Sequence, residues 1–239
     1  NFDVEANPAY YLHQVNLTLF AKVRELTLFC VPSILGGFHA LLAAEAMARA
    51  DALLGHLSEP AGIPCYKPYH SAGEDYLFDY LGMLGLPLEP VPSFPAGAGT
   101  VLLTANAAGD PGILAKLKAH LLAGGRACIT SGLVEALAGR GLEDLALCRH
   151  TGRKAAVDLF AHQPQGCSFK YYHRASARIL LPHLDFATND SWPLITAFGE
   201  HGQHPLLLAT PYGRGLLYVL TVPDDYGELY RLPRGILGA

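Results

Sequence analysis

Charged side chains are scarce in this sequence. Only 16% of the residues are Asp, Glu, Lys or Arg, whereas about a quarter is usual in soluble domains. The formal net charge is −4, so the chain lacks the excess of positive charge that supplies most of the affinity for nucleic acid. Nucleic acid is therefore disfavoured as a partner. Hydrophobic residues make up 51% of the chain, which suggests that a partner covers part of the surface.

Paired cysteines and metal-binding motifs are also lacking. The chain has five cysteines, widely spaced and without a CxxC pair, and none of its 11 histidines falls in an HExxH motif. This pattern argues against a disulfide framework and a zinc site, so we predict no metal, and reduced thiols in a cytoplasmic setting. The glycine spacing of a dinucleotide fingerprint and the GK[ST] of a P-loop are missing too. No cofactor is predicted.

No apolar run is long and continuous enough to predict a membrane span. Residues 26–44 carry no charge and approach the ~20 residues that a spanning helix needs. Pro32 and Gly36-Gly37 divide them into a strand-like run and the start of a helix, so we predict no contact with a membrane. The sequence begins at Asn1 without a signal-like leader, and we expect a processed or truncated product.

Residues 1–58 are predicted to form a segment of their own. Their pattern indicates an entry helix over residues 10–23, a strand over residues 25–31 and a second helix after it. A lone pair of such elements cannot bury both faces of a hydrophobic strand, so it must dock on the rest of the chain or on a neighbour. The sequence Glu-Pro-Ala-Gly at residues 59–62 predicts a linker. Residues 59–239 are then a single α/β domain.

The stretch Asp110–Leu133 specifies the architecture of this domain most clearly. Asp110 predicts a capped helix start, and Gly124-Gly125 permits the left-handed turn that ends the helix. The uncharged run at residues 127–130 predicts a strand covered on both faces. Ser131-Gly132 breaks that strand before helical spacing resumes. The order of these elements is that of a helix-strand-helix unit in a parallel sheet.

Alternating strand and helix patterns extend this arrangement on the amino-terminal side, from residue 62. Residues 140–162 predict a helix or loop and then an apolar run, and residues 178–181 predict a strand. Residues 206–210 and 215–222 predict two more strands, joined by the turn sequence Pro-Tyr-Gly-Arg. We therefore predict an α/β fold with a mainly parallel sheet that finishes in a C-terminal antiparallel hairpin.

Ser131 stands where a functional residue would stand, because ligands of parallel sheets bind at the carboxyl ends of the strands. Its hydroxyl could be a nucleophile if a distant histidine acted as base, and His70, His173, His183 and His204 are all available. The simpler interpretation is that Ser131 caps the following helix, as serine often does. The capping role is favoured.

The loop at residues 67–76 is the densest polar and aromatic cluster in the chain. Lys67, His70 and Glu74 could bind an anion or move a proton, and Tyr69 could stack on a sugar or nucleotide. A serine three residues before Glu74 is also the pattern of a capping box for the next helix. The capping box is favoured here as well.

Two further loops offer ligand contacts. Asn106 lies in a short loop of small residues at the end of a predicted strand, where a ligand could approach the backbone. Asp190 and Trp192, the only tryptophan, lie in the sequence HLDFATNDSWP. They could contact carbohydrate. The alternative interpretation is that these residues simply form a turn rich in Asx residues.

The order helix, Gly124-Gly125, strand, Ser131-Gly132 and the late hairpin PLLLATPYGRGLLYVLTV resembles the class I glutamine amidotransferase-like superfamily. More narrowly, residues 62–225 look like the trimerisation domain of bacterial β-galactosidases, which are glycoside hydrolases. The resemblance implies a flavodoxin-like, three-layer α/β fold. Active amidotransferases carry a nucleophilic cysteine in a Gly-x-Cys-x-Gly elbow, whereas the turn here is Thr-Ser-Gly-Leu at residues 130–133. The thiol is absent, and Ser131 alone matches the position of the nucleophile.

Residues 1–58 resemble the closing strand and helix of a (β/α)8 barrel, the fold that precedes such a domain in those glycosidases. The resemblance then implies that the catalytic carboxylates lie upstream of Asn1, and that the partners are an upstream barrel or further copies in a homo-oligomer. We expect a non-catalytic domain that supports the assembly of a carbohydrate-active enzyme. The alternatives are an independent small hydrolase or transferase with Ser131 as nucleophile, and a ligand-binding sensor that uses the loop at residues 67–76.

Overall fold

The protein, seen here in a computed structural model, divides into two compact units, Asn1–Pro60 and Ala61–Ala239. The structure describes residues 7–21, 23, 25–27, 32, 35, 37, 39–58, 61–200 and 202–238. Within these ranges, no helix has both the length and the hydropathy required to cross a membrane.

Two helices pack together in the first unit. Helix α1 spans Pro8–Phe20 and helix α2 spans His39–Leu54. Asn7 caps α1, because its Oδ1 accepts a hydrogen bond from the backbone N–H of Ala9 at 3.0 Å. The strand predicted over residues 25–31 is not tested: residues 25–27 have no regular secondary structure, and residues 28–31 lie outside the described part of the chain.

The described part of the second unit forms a nine-stranded sheet with strand order β2-β1-β3-β4-β9-β8-β7-β5-β6. The strands are β1 (Ile63–Tyr66), β2 (Leu88–Val91), β3 (Thr100–Leu103), β4 (Arg126–Thr130), β5 (Cys148–His162), β6 (Tyr171–Phe186), β7 (Trp192–Gly199), β8 (Gly202–Tyr212) and β9 (Gly215–Leu220). Three helices belong to the first half of the unit, namely α3 (Leu77–Met83), α4 (Ile113–Leu122) and α5 (Ser131–Ala136), and a short helix α6 (Arg234–Leu237) ends it.

The sheet has a parallel and an antiparallel half. Strands β2, β1, β3, β4 and β9 pair in parallel, whereas β9, β8, β7, β5 and β6 pair antiparallel. The longest strands are β5 and β6, of 15 and 16 residues, so most of the sheet is antiparallel. The prediction of a mainly parallel sheet is therefore wrong, although the predicted hairpin is present as β8 and β9.

Bulges explain why the sequence pattern predicts too few antiparallel strands. The pairing of β5 with β6 shifts register between His150 and Lys154 and again between Val157 and Leu159. Each bulge interrupts the alternation of inward and outward side chains that identifies a strand in a sequence. As a result, the region from residue 140 looked like a helix or loop followed by one apolar run.

Both faces of the parallel half are covered. On one face, Val101 and Ile129 pack in a cluster with Leu117 of α4 and Leu133 of α5. On the other face, Leu102 and neighbouring strand residues pack with Leu77 and Leu81 of α3. Since β3 and β4 are short and covered on both faces, their residues form nearly continuous apolar runs without alternation.

The helix-strand-helix unit lies where the sequence predicted it, with one correction. Helix α4 begins at Ile113 and its N-cap is Gly112, not Asp110. Asp110 instead accepts hydrogen bonds from the Gly112 N–H at 2.9 Å and from Lys116 Nζ at 2.6 Å. Its carboxylate therefore stabilises the turn before the helix, in the manner of an Asx-turn.

Candidate functional site

The candidate site is the elbow at which strand β4 passes into helix α5. Thr130 ends β4 and is the N-cap of α5, because its Oγ1 accepts a hydrogen bond from the Leu133 N–H at 3.2 Å. The prediction that Ser131 caps this helix is therefore wrong by one residue. The capping role belongs to Thr130, which leaves the Ser131 hydroxyl for another partner.

That partner is the backbone after strand β9. Ser131 is only 1% exposed, and its Oγ accepts a hydrogen bond from the Val222 N–H at 2.9 Å. The same hydroxyl lies 3.4 Å from the Val222 carbonyl oxygen. Val222 follows β9, which pairs with β4, so this contact ties together the ends of two neighbouring strands. In the described part of the chain, no imidazole hydrogen-bonds to Ser131.

Glu74 brings a carboxylate to the same elbow. Its Oε2 accepts hydrogen bonds from Thr130 Oγ1 at 2.5 Å and from the Ala105 N–H at 2.6 Å. The carboxylate also accepts from the backbone of Gly132, and it lies so close that a Cβ at Gly132 would overlap it. Burial raises the pKa of Glu74, and the three hydrogen bonds partly offset this rise.

The capping box predicted for Glu74 is absent. Helix α3 begins at Leu77 with Tyr76 as its N-cap, and no side chain caps it. Ser71 Oγ donates instead to the Pro68 carbonyl at 2.6 Å. Glu74 adopts a left-handed backbone conformation, with φ of 48°, which few non-glycine residues adopt. The loop thus turns its acidic side chain toward the elbow and away from the helix that follows it.

A cavity of about 210 Å³ opens beside this elbow. Its lining residues include Glu74, Ser131, Gly132, Glu135, His150, Asp224 and Tyr226. His150 Nδ1 lies 3.8 Å from Glu135 Oε1, and Lys154 Nζ lies 2.5 Å from Asp224 Oδ2. Burial, and then the charges of Glu74, Asp75 and Asp224, raise the pKa of Tyr226 to about 12. Tyr226 therefore stays protonated and can only donate or accept hydrogen bonds at neutral pH.

Sequence reasoning missed His150, Asp224 and Tyr226. Asp224 and Tyr226 follow β9, at the carboxyl end of the strand beside β4. The same rule that singled out Ser131 would have found them, had β9 been recognised as a parallel neighbour of β4. His150 had no such signal, because it lies in the bulged part of β5.

The remaining residues predicted in the loops lie in three different environments. Lys67 Nζ pairs with Asp75 Oδ1 at 2.8 Å, and Asn106 is buried and hydrogen-bonds with Ser71 at 3.2 Å. Tyr69 and His70 are exposed. The loop is thus tied to the rest of its domain at Ser71 and Glu74, and its role as a ligand sensor stays a prediction.

Asp190 and Trp192 lie in a different cavity, of about 450 Å³, together with Tyr212. In the ranges that the structure describes, no group of three or more His, Cys, Asp or Glu side chains could hold a metal ion. The described cysteines are free. Burial raises the pKa of Cys65 to about 11 and the pKa values of Cys128 and Cys148 to about 12, so these thiols are poor nucleophiles.

One family model matches most of the second unit. Residues 58–225 match the family model described as "Uncharacterized protein SSO3021, second domain". No curated protein sequence matches the chain.

Among solved structures, the chain is similar to several β-galactosidases. For the β-galactosidase of Rahnella sp. R3 the TM-score is 0.53 at 15% identity, and the match covers 79% of this chain and 33% of that one. For the β-galactosidase of Bacillus circulans sp. alkalophilus the TM-score is 0.50 at 13% identity, with 81% and 33% covered. Gan42B, a GH42 β-galactosidase from G. stearothermophilus, gives 0.50 at 12% identity, with the same coverage. At these identities the likeness concerns the fold, and the chain spans about one third of each enzyme.

Proposed function

The chain belongs to the family described as the second domain of SSO3021, and we propose that it is a non-catalytic, amidotransferase-like domain that supports the assembly of a glycoside hydrolase. The fold similarity to β-galactosidases supports this proposal. The parallel strand order β2-β1-β3-β4-β9 supports its flavodoxin-like part, because doubly wound sheets of that kind have the order 2-1-3-4-5. A reducing, cytoplasmic setting is part of the proposal, in line with the free cysteines.

The observation that carries the proposal is that the side chain of Glu74 occupies the elbow between β4 and α5. Two backbone N–H groups that converge at the end of a strand can stabilise the oxyanion of an acyl-transfer intermediate. Here the N–H groups of Ala105 and Gly132 converge in this way, but both hydrogen-bond to the carboxylate of Glu74. The carboxyl group of Glu74 thus fills the position that a reacting oxyanion would need, which favours a structural role for the elbow.

The assembly surface that we propose is the edge of the sheet at β6. This strand ends the strand order, and it exposes Tyr172 by 57% and Leu180 by 42%. The Leu180 N–H and the Arg178 carbonyl already hydrogen-bond to Glu228 and Arg231, but a long edge strand with exposed apolar side chains is elsewhere a template for pairing with another chain. A further copy of this chain or an upstream barrel would cover it, and the low charge content of the sequence has the same explanation.

Light scattering on the purified 239-residue chain tests this proposal. We expect an oligomer that Tyr172→Asp with Leu180→Asp converts to monomer, whereas Tyr69→Asp, at a side chain 79% exposed on another loop, leaves it intact. A wild-type monomer that also fails to bind a co-expressed barrel would refute the assembly role. So would glutaminase activity in a Ser131→Cys variant, because the elbow would then be open to substrate.

A small hydrolase with Ser131 as nucleophile is the second candidate. The observation that favours it is that Ser131 and His150 line the same cavity, with Glu135 beside the imidazole. If this function holds, hydrolysis of p-nitrophenyl acetate is lost in both Ser131→Ala and His150→Gln, while Glu74→Gln retains it. Equal background rates in the wild type and all three variants would exclude it.

A further inference from the structure

The cavity that contains Trp192 is a second site, and it shares no lining residue with the elbow cavity. It is an open cleft of about 450 Å³, within the size range of small-molecule sites. Its walls come from the short helical turn Leu142–Asp144, the turn before β7, and the end of β8. The sheet and its connections therefore position every wall.

The apolar lining of the cleft includes two aromatic side chains. Trp192 is the first residue of β7 and is 47% exposed. Its backbone pairs with Ala209 of β8, and Tyr212 ends the same strand opposite Gly215. Both rings are thus anchored in the sheet while the indole remains in contact with water. A rigid exposed indole can receive the apolar face of a flat ligand at little entropic cost.

The polar groups beside Trp192 lie on a turn that is held in place. The backbone N–H groups of Asp190 and Ser191 donate to the Ala187 carbonyl at 3.3 and 3.1 Å, and the buried hydroxyls of Ser191 and Thr210 hydrogen-bond at 2.7 Å. Among the described residues, the side chains of Asn189 and Asp190 make no hydrogen bond or ion pair. The backbone of the turn is therefore held in place, and the exposed side-chain oxygens of Asn189 and Asp190 are available to a ligand.

The wall formed by the helical turn is acidic. Glu143 accepts hydrogen bonds from the N–H groups of Gly139 and Gly141, which lower its pKa, and Asp144 lies next to it. No Lys, Arg or His lines the cleft. Anionic ligands are therefore excluded by charge, and the described residues hold no metal cluster. The cleft thus offers an exposed aromatic face beside several hydrogen-bond acceptors, a lining that suits a ligand with one apolar face and many hydroxyl donors.

We propose that this cleft binds a neutral sugar ring, which stacks one face on Trp192 and donates hydroxyl hydrogen bonds to Asn189, Asp190 and Asp144. A sugar ring has the required combination, because its axial C–H groups form an apolar face while its hydroxyls project from the edge. The site is independent of the elbow and of the β6 edge. It gives the chain a ligand-binding activity that goes beyond an assembly role.

Trp192 makes the proposal directly testable, because it is the only tryptophan in the chain and its fluorescence reports on this cleft alone. Titration with galactose, glucose and lactose is expected to shift the emission and to saturate with a Kd on the order of 1–10 mM for at least one of them, the range open to so small a ligand. An equal concentration of sorbitol, which has no ring, controls for solvent effects.

Variants assign the binding to the residues named. Asp190→Ala should weaken the fluorescence-detected affinity about fivefold or more, since it removes one charge-assisted hydrogen bond. Saturation-transfer NMR on the sugar gives a second readout, in which Trp192→Ala should lose the signal. Phe169→Ala, a matched control at an aromatic side chain 78% exposed outside the cleft, should retain the signal in full.

Two results would overturn the proposal. One is the absence of a saturable response to all three sugars up to about 200 mM, well above the expected Kd. The other is a response to choline or ethylammonium in place of the sugars, which would make the cleft a cation site based on cation–π contacts and carboxylates. Neither result would bear on the oligomeric state, so the assembly proposal is tested separately.

Discussion

The elbow cavity and the Trp192 cleft both contain carboxylates, but the polar groups of the two regions are satisfied in opposite ways. At the elbow, Glu74 and Ser131 accept hydrogen bonds from backbone N–H groups in the segments that follow β3 and β9. In the cleft, the side chains of Asn189 and Asp190 have no partner among the described residues. Polar groups with internal partners stabilise a fold, whereas positioned groups that lack them are free to bind a ligand.

From this comparison, Glu74→Ala is expected to cause the largest loss in the free energy of unfolding. The change leaves the Ala105 and Gly132 N–H groups and the Thr130 hydroxyl without their acceptor, at an expected cost of about 3 kcal/mol in the free energy of unfolding. Urea denaturation at neutral pH measures it, read as a change of midpoint at constant m-value. Glu135→Ala is the control, because this glutamate lines the same cavity but its side chain is 65% exposed. Equal losses in the two variants would contradict the structural role of Glu74.

Removing the other elbow contact should have a smaller effect. Ser131→Ala deprives the buried Val222 N–H of its acceptor, so we expect a loss of about 1–2 kcal/mol in the free energy of unfolding. Ser168→Ala, at an exposed serine, should change stability by less than about 0.5 kcal/mol. If Ser131→Ala is as stable as Ser168→Ala, the hydroxyl has no structural role and the nucleophile interpretation gains support.

The protonation of Glu74 offers a sharper test of the elbow. Because burial raises its pKa in the folded state above the ordinary value of 4.5, the protonated form is favoured by folding. Its contribution is greatest below that value and declines as the pH rises through the raised pKa. The stability of the wild type relative to Glu74→Gln should therefore fall as the pH rises above about 4.5, the ordinary value. An increase over the same range would mean that the hydrogen bonds outweigh burial.

The parallel half of the sheet could be predicted because its signals are local. Asp110, the glycine pair and the uncharged run lie within one stretch of chain, and strand β4 is found within one residue of its predicted start. Glu74 could not be predicted in the same way. Its partners lie 31 and 56 residues away, and the nearby serine offered a plausible local partner that the fold does not use.

The Trp192 cleft could be predicted from the sequence only in part. Asp190 and Trp192 were singled out together and line one cleft, because a short turn carries both. Tyr212 and Glu143, which complete that cleft, come from segments that only the folded sheet brings near. Local sequence thus predicts one wall of a site, and the pairing of distant strands supplies the other.

The smallest effect on stability is expected in the Trp192 cleft. A larger effect there would contradict the contrast between the cleft and the elbow. Asp190→Asn removes one of the three carboxylates that line the cleft, the others being Glu143 and Asp144, and breaks no hydrogen bond among the described residues. It should change the free energy of unfolding by no more than about 0.5 kcal/mol, in the stabilising direction, with the gain reduced at high salt because exposed charges are screened. Urea midpoints at low and high ionic strength measure both quantities. A loss of 1 kcal/mol or more, on the order of one net hydrogen bond, would mean that Asp190 has an internal partner, and the cleft would then resemble the elbow.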